Sequence, residues 1–406
     1  MAITINSTPQ TYNPAYNDIV FVVTSTNIAQ PNFKYIADIY VGSQTIRLTI
    51  SKDALYNTGI FNLGRVIESY VSSDISKSVY GFAQNTSSYT SWYVSFGEQY
   101  GNTPAIYSGL TTSSTYYSWN SCFDFLPFQS YTQTPYVLQS AAVKQLLTNK
   151  PATVNIRDSE DAWLYMATAS SGVVYDARVR TYDSSGSLIQ TVKINNPYQA
   201  VSSANDRFVR FGCGTNNLNN IASSGITTGA QPIITASVYS YDVTFEMFNG
   251  TLVSTPQTYT IDQRCTQYTP YRFHFLNKLG GFDSFTFILA STKTSKNNKT
   301  YYSKNVNRSL SSTTYGYNTS DRSKTQLNNI VKDNIKVQSD WISESTMTWL
   351  EELINSPEVY LDDSTYGLVS VNIMNSSFEF KQSVKDKLFN LEIEFEYSYD
   401  RYTQRR

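Results

Sequence analysis

The side chains able to act as nucleophiles or general bases are few and scattered. His274 is the only histidine among 406 residues, and it lies within an alternating aromatic run. Nucleophilic catalysis usually needs a positioned histidine beside a serine or a cysteine, and no such signature surrounds His274. Cys122, Cys213 and Cys265 are odd in number and widely spaced, which argues against a disulfide framework or a zinc site. We therefore interpret His274 as a structural residue on a sheet face.

Paired carboxylates offer a second route to catalysis, because glycoside hydrolysis needs two acids that flank a sugar. The densest acidic residues are the pair Asp362-Asp363 and the alternating row Glu392, Glu394 and Glu396. Adjacent aspartates are more typical of a solvated turn or a weak calcium site. Alternating glutamates are more typical of a solvated strand face or of one side of a subunit contact. The sequence therefore predicts a protein that is not an enzyme, with no catalytic residue, no cofactor and no metal site.

The overall composition favours a β-rich assembly or adhesive protein over a cytosolic enzyme. Charged residues make up 16% of the chain, against about 25% in an average soluble protein, and the net charge is −1. The 33 tyrosines outnumber the 31 lysines and arginines, and tyrosine combines a large, rigid contact area with a polar tip. No segment approaches the roughly 20 apolar residues needed to span a membrane. The first residues carry neither a basic n-region nor an apolar h-region, so we expect no secretory signal.

Alternating apolar residues between turn residues predict a mostly-β chain of tandem β-sandwich units. We expect an N-terminal β-sandwich domain over residues 1–148, a second, immunoglobulin- or fibronectin-like β-sandwich domain over 149–262, and a C-terminal β-rich domain over 263–406. Segment 141–148 is predicted to be a short helix or a linker. In the second domain, Asn249-Gly250 predicts a hairpin with a type I′ turn, because that turn needs positive φ at both central residues.

Two features mark the predicted C-terminal domain. Segment 271–287, YRFHFLNKLGGFDSFTF, is expected to form a strand, a tight turn and a second strand, since Gly280 and Gly281 tolerate positive φ. Further on, Ser343 is a suitable N-cap for a helix over residues 343–355, whose apolar side chains fall on one face before a proline.

A basic insert over residues 291–325 interrupts this domain. Seven lysines and arginines oppose one aspartate there, a net charge of +6, and four tyrosines are interleaved. Basic groups with aromatic rings could neutralise phosphates and stack on bases. We favour the alternative, an extended arm that orders only against a neighbouring subunit. Its charge would then complement an acidic face such as the Glu392, Glu394 and Glu396 row on another copy.

Several segments resemble virion structural proteins of tailed bacteriophages of Bacteroidetes-type hosts, including the crAss-like phages. They are YNPAYNDIVFVV and NFKYIADIYV near the start, YRFHFLNKLGGFDSFTF in the middle, and SDWISESTMTWLEELINSPEVYL, LVSVNI and LFNLEIEFEY towards the end. The resemblance implies a non-enzymatic particle component built of β-sandwich units. Such proteins usually form homomeric rings at the neck, tail or baseplate. The partners implied are further copies of this chain and other virion proteins, with assembly in the host cytoplasm.

The residues predicted at a subunit interface come from the basic insert, the helix and the glutamate row. Trp341 and Trp349 could instead simply fill the core of the third domain. A carbohydrate-binding or adhesin module that attaches to a host-surface glycan is the main rival function, because tyrosine- and tryptophan-rich sandwiches also stack on sugar rings. We do not expect nucleic acid as a partner. The predicted interface residues are Lys296, Lys299, Tyr301, Tyr302, Lys304, Trp341, Trp349, Glu392, Glu394 and Glu396.

Overall fold

The computed structural model describes residues 3–140, 142–170, 172–199, 207–303, 309–311, 314–316, 320, 322–375 and 388–402. The chain forms two compact units. The first comprises Met1–Arg264 with Leu276–Ser284, and the second comprises Cys265–Phe275 with Phe285–Arg406. Both units consist mainly of β-strands arranged in several separate sheets, as the sequence predicts.

The N-terminal part of the first unit contains ten strands in sequence order. They are β1 (Ile3–Ser7), β2 (Tyr12–Pro14), β3 (Val20–Ser25), β4 (Lys34–Val41), β5 (Gln44–Ser51), β6 (Gly59–Asn62), β7 (Phe82–Gln84), β8 (Tyr89–Tyr100), β9 (Ala105–Thr112) and β10 (Tyr116–Trp119). Two short helices, α1 (Gly64–Ile67) and α2 (Phe125–Phe128), and a 3₁₀ turn, Glu68–Tyr70, complete this part.

One apolar core joins two sheets of this region. A three-stranded sheet has the order β1-β3-β6, and a larger sheet has the order β2-β10-β8-β4-β5, with β9 paired to β8. Phe21 and Phe61 from the first sheet and Trp92 and Phe96 from the second are all buried in this core. Two sheets that share one core fit a β-sandwich.

The rest of the first unit has a second core between two more sheets. Its strands are β11 (Val137–Leu138), β12 (Thr153–Ile156), β13 (Trp163–Thr168), β14 (Asp176–Tyr182), β15 (Leu188–Asn195), β16 (Phe208–Gly212), β17 (Ile226–Thr228), β18 (Ser240–Glu246) and β19 (Gln257–Ile261), with the helix α3 (Thr215–Asn219) and a 3₁₀ turn, Ser223–Gly225. The sheet orders are β11-β13-β16-β7 and β12-β19-β18-β14-β15-β17. Phe211 from the first sheet packs against Phe245 from the second.

The predicted division at residues 148 and 149 differs from this arrangement. Strands β7 and β11 precede that position, yet both belong to the sheet that contains β13 and β16. β7 contributes Phe82, whose ring lies 4.8 Å from that of Phe211. Segment 142–148 forms isolated bridges and no helix, so of the two alternatives predicted for 141–148 the described part is an extended connection.

The second-unit strands follow in order. They are β20 (Tyr271–Leu276), β21 (Phe282–Phe287), β22 (Thr292–Ser303), β23 (Ser309–Ser311), β24 (Thr314–Gly316), β25 (Lys324–Gln338), β26 (Ile342–Ser343), β27 (Val359–Asp363), β28 (Gly367–Ile373), β29 (Leu388–Phe389), β30 (Glu392–Tyr397) and β31 (Arg401–Tyr402). Eight of them form one sheet, in the order β21-β20-β27-β28-β30-β25-β22 with β31 paired to β25.

The predicted helix is confirmed as α4 (Glu344–Asn355). The Ser343 side chain caps it by accepting a hydrogen bond from the Thr346 backbone N–H at 3.3 Å. Met347, Leu350 and Leu353 are buried on one face of the helix. The spacing of these apolar residues and the cap together explain why a helix forms in this mostly-β chain.

The Asn249-Gly250 turn exists but is not of the predicted type. Gly250 has φ +79°, whereas Asn249 does not adopt positive φ. The Gly250 N–H donates to the Met247 carbonyl at 2.9 Å, and the Met247 N–H donates to the Thr251 carbonyl at 2.9 Å. These bonds define a three-residue loop in which a regular turn is followed by one left-handed glycine. A type I′ turn would need a left-handed Asn249 as well.

Segment 271–287 is a hairpin, as predicted, with a tight turn over residues 277–281. Gly280 takes φ +86°, whereas Gly281 does not need positive φ. A Cβ atom on Gly280 would lie 2.1 Å from the Asn120 carbonyl oxygen. The turn therefore needs glycine at 280 for both its backbone angle and its close packing.

Candidate assembly surface

β22 is an edge strand of the eight-stranded sheet. Within the described part of the chain it pairs only with β25, from Thr292 opposite Lys336 to Ser303 opposite Lys324. All 12 of its residues are exposed, which its polar sequence TKTSKNNKTYYS allows. The insert was predicted to be an arm that orders only against a neighbouring subunit. Its residues 292–303 instead form a regular strand paired within their own chain.

Asp333 on β25 anchors the middle of β22. Its carboxylate accepts a hydrogen bond from the Ser295 hydroxyl and lies 3.0 Å from Lys293 Nζ and 3.4 Å from an Arg401 guanidinium nitrogen. The Ser295 hydrogen bond and the Lys293 and Arg401 charges lower the pKa of Asp333. The side chain is 9% exposed, so solvent screens these contacts only in part.

The predicted basic and aromatic residues are spread along β22. Lys296 is opposite Lys332 and Lys299 is opposite Asn329 in the strand register. Tyr301 and Tyr302 are 47% and 41% exposed. The Lys324 ammonium lies 4.9 Å from the centre of the Tyr301 ring, a cation–π distance. Lys304 lies outside the described residues.

The glutamate row has partners in its own chain. Glu392 lies 2.6 Å from Lys336 Nζ, and Glu396 lies 3.4 Å from Lys332 Nζ. Glu394 accepts a hydrogen bond of 2.7 Å from the Asn334 amide. These contacts arise because β30 and β25 are adjacent antiparallel strands with their polar residues on one face. A second copy that used this row would first have to displace these contacts.

The two tryptophans have opposite environments. Trp341 is 66% exposed, immediately before α4. Trp349 is 3% exposed, and its ring lies 5.6 Å from Phe275 and 6.1 Å from Phe285. Trp349 therefore fills the core of the second unit, and its assignment to a subunit interface is wrong. Its position on the apolar face of α4 directs it inward.

A shallow groove lies across the paired strands β22 and β25. Its volume is about 270 Å³. It brings two lysines and two asparagines together with a carboxylate, a set that can donate and accept hydrogen bonds. Tyr402, which pairs with Ile330, is 57% exposed. The lining residues are Lys296, Asn297, Asn298, Ile330, Lys332 and Asp400.

The residues considered for catalysis occupy structural positions. His274 is fully buried on β20, with Nε2 3.6 Å from an Asp362 carboxylate oxygen. Asp363 accepts hydrogen bonds from the Thr365 and Tyr366 backbone N–H groups at 2.8 and 2.9 Å, which closes the turn between β27 and β28. In the described ranges, no three His, Cys, Asp or Glu side chains are grouped as metal ligands.

A cluster of polar side chains that the sequence did not predict lies buried in the first unit. It contains Lys150, Asn277 and Asp283. Asn277 and Asp283 come from the hairpin turn and the strand after it, whereas Lys150 precedes β12. No local motif connects residues more than 100 positions apart, so only the folded structure reveals their proximity.

The sequence matches no protein-family model and no curated protein. The structure itself defines a mostly-β chain with several separate sheets and two sandwich-like cores in its first unit. Across the described residues, none of the helices is long and apolar enough to cross a membrane.

Proposed function

We propose that this chain is a non-enzymatic structural component of a tailed-phage particle. It assembles through protein–protein contacts into a homo-oligomeric ring or sleeve at the tail, neck or baseplate. Its partners are further copies of itself and other virion proteins, and the particle is assembled in the host cytoplasm. The proposal rests on the segment resemblances and, above all, on one structural observation, the exposed edge strand β22.

β22 suits addition of a strand from a second copy. An edge strand presents unpaired backbone N–H and C=O groups, and the length of 12 residues offers a long row of them. Exposed lysines on such an edge oppose indiscriminate pairing, so a specific partner must satisfy them. Tyr301 and Tyr302 add exposed aromatic area of the kind enriched in protein interfaces.

The native mass of the purified chain, measured over a range of concentrations, tests self-assembly. We expect a closed homo-oligomer whose copy number is fixed. The double charge reversal Lys296→Glu with Lys299→Glu should reduce it to smaller species, because both side chains lie on the exposed β22. A matched control is Lys34→Glu with Lys52→Glu, which changes the charge equally on exposed residues of the first unit. A wild-type monomer at every concentration would contradict self-assembly by this chain.

Carbohydrate binding is the second candidate, and the groove beside β22 favours it. Sugars are commonly held by hydrogen bonds from amides and carboxylates next to an aromatic ring. Asn297, Asn298 and Asp400 line the groove, and Tyr402 is exposed on a neighbouring strand. Binding of a monomeric chain to a glycan array, abolished by Asp400→Ala, would support this function over the structural one.

A further inference from the structure

The buried cluster in the first unit brings an amine, a carboxamide and a carboxylate together. The Lys150 and Asp283 side chains are only 4% and 2% exposed, and Lys150 Nζ lies 3.7 Å from Asp283 Oδ1. Asn277 is also buried, and its Nδ2 donates to Asp283 Oδ2 at 3.1 Å. The lysine and the asparagine therefore contact the two oxygens of one carboxylate.

The Asn277 carboxamide is held in an activating environment. Its Oδ1 accepts hydrogen bonds from the Leu279 and Gly281 backbone N–H groups, both at 3.0 Å. Two such donors stabilise the negative charge that forms on a carbonyl oxygen during nucleophilic attack. Its Nδ2 also donates to the Leu147 carbonyl at 3.0 Å, which fixes the plane of the amide.

Lys150 has only one acidic neighbour among its described contacts. Its Nζ donates to the Tyr259 hydroxyl at 3.1 Å, and the ammonium lies 5.5 Å from the centre of that ring. Burial raises the pKa of Tyr259 well above its ordinary value, so this phenol stays neutral and supplies no counter-charge. In such surroundings, proton transfer from Lys150 to Asp283 replaces a buried ion pair with a neutral pair.

We propose that Lys150 and Asn277 form an intramolecular isopeptide bond, with Asp283 as the proton carrier. The neutral Lys150 amine attacks Asn277 Cγ, and the backbone N–H groups of Leu279 and Gly281 stabilise the oxyanion. Asp283 returns its proton to Nδ2 as the Cγ–Nδ2 bond breaks. One amide bond forms and one ammonia leaves. The remaining proton leaves with the ammonia as ammonium or stays on Asp283.

Asn277 is the acceptor because two features of its carboxamide favour attack. Its oxygen has two backbone donors, and its nitrogen has a neighbouring acid. Asp283 faces both Lys150 Nζ and Asn277 Nδ2, and its two oxygens share the hydrogen of the Thr148 hydroxyl, at 2.9 and 2.7 Å. Asp283 is therefore placed to move protons.

Mass spectrometry of the full chain tests the proposal. Under denaturing conditions, we expect the intact mass to be lower than the sequence mass by one ammonia. Trypsin should release residues 145–157 joined to residues 273–278, because the Lys150–Pro151 bond resists cleavage. Asp283 falls in a different tryptic peptide, 279–293, so the branched peptide identifies the acceptor. A branch to 279–293 with loss of one water would overturn the assignment to Asn277.

Two matched variants separate bond formation from an ordinary ion pair. Lys150→Arg retains the charge but should show the full sequence mass and unfold at a lower temperature. Lys278→Arg changes a partly exposed lysine beside Asn277 that contacts Asp124, and should retain the loss of ammonia. Recovery of 145–157, 273–278 and 279–293 as separate linear peptides from the wild-type chain would overturn the proposal, whether or not either variant folds.

Discussion

Of two lysine–carboxylate pairs in this molecule, the more buried pair has the longer distance between nitrogen and oxygen. Lys150 and Asp283, in the first unit, lie 3.7 Å apart with side chains 4% and 2% exposed. Lys336 and Glu392, in the second unit, lie 2.6 Å apart with side chains 50% and 48% exposed. Water screens the exposed pair, so its shorter distance adds little to stability. Burial, and not distance, decides which pair the fold depends on.

The surroundings of the two pairs explain their different roles. Asp283 accepts hydrogen bonds from Thr148 and Asn277 and also faces Lys150, so each of its buried oxygens has polar neighbours. The exposed pair belongs to a row of cross-strand contacts between β25 and β30. Such contacts favour one strand register, and solvent can replace any one of them.

The largest expected effect comes from removing Asp283, as in Asp283→Ala. Without this proton carrier Lys150 stays unlinked and buried without a carboxylate, and we expect a loss of about 3–5 kcal/mol in the free energy of unfolding. Urea denaturation followed by intrinsic fluorescence measures this change. Glu392→Ala is the matched control on the exposed pair, and an equal loss in both variants would contradict the importance of burial.

The turn that carries Asn277 provides the next largest effect. Gly280→Ala forces a side chain into the left-handed region and places its Cβ against the Asn120 carbonyl. Gly186, in the β14–β15 turn, also has positive φ but has open space around it. We expect Gly186→Ala to lose about 1–2 kcal/mol of unfolding free energy. Gly280→Ala should lose about 1–3 kcal/mol more because the backbone must shift. Similar losses in both would show that the close approach to Asn120 is unimportant.

Acidification should destabilise the Asp333 cluster on β25. This cluster is less buried than the Lys150–Asp283 pair and less exposed than the Lys336–Glu392 pair. Its pKa is lowered below the ordinary 3.8 by the Ser295 hydrogen bond and by Lys293 and Arg401. The resulting stability is fully present above the unfolded pKa and is lost as the pH falls through the folded pKa. Urea midpoints between about pH 5 and pH 2 should therefore fall less steeply for Asp333→Asn than for the wild type. An unchanged slope would exclude Asp333 as a contributor.

The smallest effect is expected for the exposed pair. Glu392→Gln should leave the urea midpoint unchanged within error at physiological salt, because solvent compensates the loss. Repeating the measurement at low ionic strength tests this reason, since any small contribution should reappear there. A large decrease in the urea midpoint at high salt would show that this exposed pair contributes to stability as the buried pair does.

Local patterns predicted the elements that local interactions determine. The Ser343 cap and the apolar face of α4 lie within four turns of chain, and the β20–β21 hairpin depends on one left-handed glycine. Strand β7 has only three residues, too few for a periodic pattern in the sequence. Its membership of a sheet follows only from its pairing with β16. Trp349 is buried because it lies on the apolar face of α4, whereas Trp341, eight residues earlier, precedes the helix and is exposed.

The candidate surface was predicted in part. The sequence shows that β22 is basic and that β30 alternates glutamate with apolar residues. It does not show that β25 lies beside both strands and supplies Lys332, Asn334 and Lys336 to the glutamates. Which distant segments pair depends on the whole sheet and cannot be deduced from charge alone. For that reason the glutamate row was predicted to face the basic insert of another copy, although it has partners on β25.

The order of the two units along the chain has a consequence for synthesis. Residues 265–275 belong to the second unit, whereas the following residues 276–284 belong to the first. A ribosome must therefore make β20 before it makes Asn277 and Asp283, which complete the buried cluster. β20 can form its backbone hydrogen bonds to β27 only after β27 has also been synthesised. Co-translational folding of the first unit thus cannot finish before the second has begun to emerge, and a single proteolytic cut at residue 264 would release an incomplete unit.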